Sequence, residues 1–307
     1  MRILVTGRDG QVATALCERA DKAGVGILTL ARPELDLAAP CAAVVKAVLD
    51  AGNDVDAIVN AAAYTAVDKA ESEPEIAEAV NGQGAGAVAE AAGELGVPVI
   101  HLSTDYVFDG EKKGPWVETD ATNPIGAYGR SKRAGEEAVR AATRRHVILR
   151  TAWVYSPFGQ NFVKTMLRLA SAGRDSLNVV ADQTGSPTSA LDIADAIFAV
   201  ARTLKASPED ELLRGTFHLA GTGETSWAEF ASAIFAGARR RGAASAEVLP
   251  IPTSQYPTPA ARPKNSVLST ARLFDRYQIQ LPPWEASLET VLDRLIGAAG
   301  APETRTK

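Results

Sequence analysis

Residues 1–16, MRILVTGRDGQVATAL, decide the fold. Arg2 to Thr6 is a short apolar run ending in a β-branched residue, Gly7 and Gly10 punctuate a turn, and from Gln11 the hydrophobic period becomes helical. The pattern predicts a strand, a tight turn and a helix from Gln11 to Lys22. Glycines at such a turn let the backbone approach a ligand closely, and the free amides at the helix start can meet a pyrophosphate. Ala13 stands where a third glycine is common, at a position that asks only for a small side chain. A glycine pattern alone is weak. Its weight comes from heading a chain that goes on in the same rhythm.

Working outward, β-branched runs alternate with helical patterns through the first half. Strands are expected at Arg2 to Thr6, Gly26 to Leu30, Ala57 to Asn60, Val97 to Ser103 and His146 to Thr151. Helices are expected at Gln11 to Lys22, Pro40 to Ala51, Pro74 to Leu95 and Tyr128 to Thr143. Strands this continuously apolar are buried on both faces, so the expected fold class is α/β, a doubly wound parallel sheet of Rossmann type. From about Ser176 the alternation becomes irregular, with a helix at Ala190 to Leu204, a strand at Gly215 to Leu219, the Pro-rich passage PIPTSQYPTPAARPKNS and a last helix from Trp284. We expect a dinucleotide-binding domain over 1–155 and, over 156–300, mainly a smaller substrate-binding lobe, part of which returns to the first domain. The tail from Gly297 reads as frayed.

Composition narrows the class. The chain has 307 residues, 46% of them hydrophobic, and a net charge of -5. That balance offers no basic field for several phosphates, which excludes nucleic acid as a partner. No run approaches the ~20 apolar residues of a membrane span, and the opening strand is not a secretory leader, so a cytoplasmic enzyme is expected. Cys17 and Cys41 fall in helical regions and read as reduced thiols filling small core positions. His101, His146 and His218 have no ligand spacing, so no metal site is expected.

Three further strand ends carry polar or small residues at the edge where doubly wound sheets bind ligands. After the second strand, LARPELDL has Arg32 where an acidic residue would select a ribose 2′-hydroxyl. Arg32 can pair with a 2′-phosphate or be a plain surface arginine, and Asp36 and Leu37 lie where a loop can cover the adenine. After the third, Ala61, Ala62 and Ala63 leave the backbone open as a cofactor wall, followed by Tyr64 and Thr65. The fourth delivers Ser103, Thr104 and Asp105. Some 25 residues on, Tyr128 precedes Lys132 by one helical turn. A dinucleotide turn, an edge hydroxyl and a Tyr/Lys pair in that order point to hydride transfer with a phenol as the acid.

GRDGQVA, NAAAYTAVDKAESEP, STDYVFDG, ETDATNPIGAYGRSK, RTAWVYSPFGQNFVKTML, DQTGSPTSALDIAD and YPTPAARPKNSVL together resemble the sugar-nucleotide reductase branch of the extended short-chain dehydrogenase/reductases. The resemblance spans nearly the whole chain. It implies reduction of the C4 ketone of a dTDP-4-dehydro-6-deoxy-L-mannose to the dTDP-L-rhamnose sugar, with NADPH, or NADH, as the cofactor. It further implies Thr104, Tyr128 and Lys132 as the catalytic group, with Gly7, Gly10, Gln11 and Val12 holding the nicotinamide cofactor. Lowering a phenol from about 10 to about 7 takes about 4 kcal/mol, much of which is expected from Lys132 together with the positive charge of the oxidised nicotinamide.

The same resemblance carries substrate contacts to Thr65, Val67, Asp105 and Trp153, the last as a flat surface for the sugar or as a buried packing residue. In ARPKNS it offers Arg262 and Asn265 to the substrate pyrophosphate. Some relatives dimerise through a metal held by carboxylates where this chain has Ala15 and Ala190, which implies a monomer or a metal-independent homodimer. Two neighbouring activities stay open, another nucleotide-sugar reductase or epimerase and a non-catalytic NADP-binding regulatory subunit like that of methionine adenosyltransferase. Dehydration does not, because Tyr106 follows Asp105 where a dehydratase carries a second carboxylate.

Overall fold

A computed structural model describes residues 1–298; the tail from Ala299 onward lies outside the described residues. The opening motif folds as β1 (Arg2–Thr6), a glycine turn and α1 (Gln11–Ala23). The rhythm continues through β2 (Gly26–Leu30), α2 (Cys41–Ala51), β3 (Ala57–Asn60), the short helices α3 (Val67–Ala70) and α4 (Pro74–Glu78), and α5 (Gly84–Glu94). Then come β4 (Val99–Thr104), α6 (Ala127–Ala142) and β5 (His146–Thr151). The expected long helix from Pro74 is thus interrupted by a π-helical turn over Ala79–Gln83. Such a turn carries one residue more than an α-turn and tends to accompany functional sites.

The second half adds β6 (Val154–Tyr155), α7 (Phe162–Ser171), β7 (Ser176–Val180), β8 (Thr184–Gly185), β9 (Thr188–Ser189) and α8 (Ala190–Ala206). It closes with β10 (Gly215–His218), β11 (Thr225–Ser226), α9 (Trp227–Arg240), β12 (Glu247–Ile251), α10 (Ala271–Tyr277) and α11 (Trp284–Ile296). Helix α7, for which no element was expected, is capped by Asn161, and in the stretch expected to be irregular α9 opens on a reciprocal capping box between Ser226 and Glu229. Strands β7 and β12 pair in parallel.

The main sheet is parallel, in the order β2-β1-β3-β4-β5-β10. The chain therefore reverses direction across the sheet between β1 and β3, and the crevice that binds ligands in such sheets opens at their carboxyl ends. One apolar core packs on each face, with Leu16 of α1 and Ile197 of α8 on one side and Val48 of α2 and Val88 of α5 on the other. Ala15 and Ala190, where some relatives carry metal-binding carboxylates, are both fully buried in the first of these cores. Cys17 and Cys41 correct the expectation of core thiols: both are exposed, Cys17 because it follows Leu16 round to the outer face of α1. Among the described residues no helix is long and apolar enough to cross a membrane.

Helix α6 lies unusually close to its neighbours. A Cβ added at Gly135 would sit 2.0 Å from the carbonyl oxygen of Asn81 in the π-turn, so the backbones touch there. Gly135→Ala should lower stability by about 1–3 kcal/mol, the usual cost of overpacking, read from the denaturant midpoint. An unchanged midpoint would mean that the π-turn yields without cost.

Candidate active site

The carboxyl ends of β1, β3, β4 and β5 enclose a cavity of about 1100 Å³. It is lined by Gly7, Gly10, Gln11 and Val12, then Arg32, Asp36 and Leu37, Ala61 to Thr65 and Val67, and finally Thr104, Asp105, Tyr128, Lys132 and Trp153. The sequence motifs, up to 150 residues apart, therefore face one space. A Cβ built on Gly7, whose φ is a positive 92°, would lie 3.4 Å from the Cβ of Ala62, so the two loops run close together where the sheet order reverses. Nothing lies within 4 Å of a Cβ built on Gly10, and the first turn of α1 has neither a side-chain cap nor an acidic residue. Free amides at an open helix start suit a pyrophosphate. Arg32 is exposed at the cavity edge and makes no ion pair among the described residues, while Arg8, not foreseen from sequence, adds a second guanidinium there. The residues present fit a phosphorylated dinucleotide. Gln11 contributes backbone only, since its side chain bonds Val154, Ser156 and Asn161.

The catalytic candidates sit on α6 and the end of β4. Glu71 accepts the Ala127 amide at 2.7 Å and so caps α6 from another element. Asn81, in the π-turn, brackets the Tyr64 peptide through both its amide atoms and also donates to Ser131, whose hydroxyl binds the Tyr128 carbonyl. Below the site, Ser103 and Arg150 bond the buried carboxylate of Glu136 at 2.7 Å, Arg150 through two nitrogens, and Arg140 bonds it at 2.8 Å. Burial alone would raise that carboxyl; the guanidinium and the hydroxyl override it and hold it below its ordinary value.

Thr104 Oγ1 donates to Asp105 at 2.9 Å, and Tyr106 packs edge-on against Tyr128 with ring centroids 5.6 Å apart. Taken together, the chain's own groups around the phenol act upwards on it. Burial, then the charge of Asp105, push Tyr128 above its ordinary value, the Thr104 hydroxyl opposing them, and no effect of Lys132 offsets that rise. Tyr128 is held as the neutral acid. Lys132, buried against the carbonyl of Leu102 at 2.7 Å, is pushed down to about 8 by burial, with Glu136 opposing. Asp105 is pushed up to about 6 by burial, against hydrogen bonds from Ser266 and Thr104, and one of its oxygens has no partner among the described residues.

The two residues offered to the substrate pyrophosphate, Arg262 and Asn265, both lie outside the cavity lining. Asn265 does not line the cavity: its amide donates to the carbonyls of Lys112 and Gly114 at 2.8 Å, and its oxygen accepts from Val267. Those bonds occupy the side chain in closing a loop. Arg262 is likewise outside the lining, held by Asp68 at 2.8 Å. Trp153 reaches the cavity at a positive φ of 47°, but Trp227 stacks on it at 3.5 Å, and a Cβ on Gly185 would lie 2.4 Å from its ring. Of the two expected readings, flat sugar surface or packing residue, this arrangement favours packing, with an edge left to the cavity.

Residues 1–296 match the RmlD substrate binding domain family. The dTDP-4-dehydrorhamnose reductase of Sinorhizobium fredii is 53% identical over 96% of this chain and 98% of its own. The chain belongs to the dTDP-4-dehydrorhamnose reductase family. The family's enzyme from Mycobacterium tuberculosis is 40% identical over 95% of this chain and 92% of its own. The dTDP-4-dehydrorhamnose reductase of Bacillus anthracis, solved in complex with NADP, superposes with a TM-score of 0.85 at 36% identity, covering 95% of this chain and 98% of that one. A UDP-glucose 4-epimerase from Thermus thermophilus, 22% identical, with a TM-score of 0.75 over 97% of this chain and all of its own, shares the fold.

Within this family site, Asp105 sets a testable cost. Its folded value lies above that of a free carboxylate, so the folded chain holds a proton that the unfolded chain loses between about pH 4 and 6, and this contribution to stability is lost as pH rises through 6. Asp105→Asn removes the buried charge. It should stabilise the protein at pH 7 by about 1–3 kcal/mol, a gain that shrinks as the pH falls from 6 towards 4. A gain independent of pH, or none, would reject the burial argument.

Proposed function

We propose that this chain reduces the C4 ketone of dTDP-4-dehydro-6-deoxy-L-mannose to give dTDP-L-rhamnose. One observation carries the reading: in a chain of this family, Thr104, Tyr128 and Lys132 line the same cavity as the open glycine turn and Arg32. NADPH, when bound, supplies the hydride. Gly7, Gly10, the start of α1 and the alanines 61–63 would hold it, and Arg32 would meet its 2′-phosphate.

Tyr128 gives its proton to the sugar oxygen as negative charge develops there. The raised phenol is no handicap in this direction, because an alkoxide is about as basic as hydroxide and so a far stronger base than a phenolate. The buried, neutral phenol keeps its proton until an acceptor that strong appears. Thr104 turns its hydroxyl from Asp105 to the carbonyl oxygen and fixes it within reach of the phenol. Lys132 faces the cofactor ribose and favours the phenolate left behind. Thr65, Val67, Asp105 and the edge of Trp153 bound the sugar, while Arg262 reaches the substrate pyrophosphate only by exchanging Asp68 for phosphate oxygens. We place the reaction in the cytoplasm, in a monomer or a metal-independent homodimer, a reading supported by the buried Ala15 and Ala190.

The deciding assay is NADPH oxidation with the 4-keto sugar nucleotide formed in the same vessel, with identification of the sugar product. Tyr128→Phe should lower kcat by about 10²–10⁴ while leaving NADPH binding intact; unchanged turnover would remove Tyr128 from the mechanism. Arg32→Ala should weaken NADPH about tenfold or more and leave NADH unaffected, as expected for one lost charge-assisted hydrogen bond. Equal losses for both cofactors would place the 2′-phosphate elsewhere.

A further inference from the structure

Behind Lys132 lies a row of buried polar groups that the proposed reaction does not use. Lys132 Nζ is 3.5 Å from His101 Nε2, His101 Nδ1 is 3.1 Å from Asn60 Nδ2, and Asn60 Oδ1 is 2.7 Å from the Thr6 hydroxyl. Thr6 Oγ1 also accepts the Ala62 amide at 3.3 Å. None of these four side chains is more than 2% exposed. The row crosses the sheet from β4 through β3 to β1 and ends on the loop that walls the cavity. Polar groups buried this deeply need partners, so the count of donors and acceptors is binding.

Two arrangements pair these groups from Lys132 to Thr6. When Lys132 is an ammonium it donates to His101 Nε2; His101 then donates from Nδ1 to the Asn60 oxygen, and the Asn60 nitrogen donates to Thr6. When Lys132 is a neutral amine every direction reverses: Thr6 donates to Asn60, Asn60 to Nδ1, and Nε2–H to the amine. The assignment of the Asn60 amide chooses between the two, because its oxygen and nitrogen occupy equivalent places. We propose that His101 is a positioning residue for Lys132, a neutral imidazole whose tautomer follows the proton on that lysine and, through Asn60 and Thr6, passes that state to the Ala62 amide.

Burial, then the charges of Lys132 and Arg140, hold His101 well below its ordinary value, so no imidazolium competes. The charged and titratable groups around the pair are few. On α6 they are Tyr128, Glu136 and Arg140, with the Glu136 charge also met by Arg150 of β5; β3 presents only the uncharged Asn60; Asp105, after β4, acts on Tyr128. With two ammonium donors fixed by the Leu102 carbonyl and His101, the third is left for the cavity.

The kinetic consequence rests on the reductase reading; the tautomer does not. Long-range ¹H–¹⁵N spectra of the labelled protein between pH 6.5 and 9.5 test it directly, since the chain has three histidines and His101→Gln assigns the signal. The expected result is a neutral His101 that carries its proton on Nδ1 at low pH and on Nε2 at high pH. A single tautomer throughout, or an imidazolium, would overturn the proposal. In kcat/KM for NADPH oxidation, activity should fall as pH rises through about 8. His101→Leu removes an acceptor from the ammonium and should move that limb down by about one pH unit, His101→Gln should restore it, and Asn60→Asp should move it up. Limbs that coincide, or that move together, would reduce His101 to packing. A parent protein that oxidises no NADPH would sink the reductase reading and leave the spectra to decide the tautomer.

Discussion

The buried carboxylate of Glu136 is the point on which the site hangs. It accepts four hydrogen bonds, from Ser103 on β4, Arg140 on its own helix and two from Arg150 on β5. A bidentate guanidinium fixes both distance and orientation, so α6 is held against two strands with its rotation set. Glu136 lies one turn beyond Lys132 and two beyond Tyr128, and Thr104 follows Ser103 directly. The same clamp therefore sets the phenol, the ammonium and the edge hydroxyl relative to one another. A buried ion pair of this kind does little for net stability, but removing one partner strands the other charge. Its value here lies in geometry.

Much of the architecture is legible in sequence because parallel strands buried on both faces read as unbroken apolar runs. The runs ending at Thr6, Leu30, Asn60 and Thr151 coincide with the strand ends, and the glycine turn, Thr104, Tyr128 and Lys132 face one cavity. The second half was less legible for two reasons. Its strands are two to five residues long, too short for a period to develop, and α7 and α9 have their start signals in single polar residues. The capping pair Ser226 and Glu229 is nevertheless plain in TSWAEF once sought.

What sequence could not supply was the role of buried polar groups. His101 sits in the apolar run VIHLST and Asn60 at the end of AIVN, places where a polar side chain must have a partner. A histidine in such a run is a hydrogen-bonding group before it is a metal ligand. Asn265 shows the converse, a polar residue in a telling motif whose hydrogen bonds are all spent on a loop. Burial and the Asp105 carboxylate both raise the phenol, and only the three-dimensional surroundings reveal them.

The last strand of the main sheet, β10, comes from residues 215–218, far along the chain from Lys132. Thr216 on that strand also takes a hydrogen bond from Arg140 at 3.0 Å, the same arginine that serves Glu136. A growing polypeptide thus carries all three proposed catalytic side chains long before the edge beside β5 is covered. Separating the first 155 residues as an independent piece would leave that edge bare and one arm of the clamp unsupported. Exchange of substrate lobes between relatives would need at least two splice points, one on each side of β10, so that the strand stays with the sheet it completes.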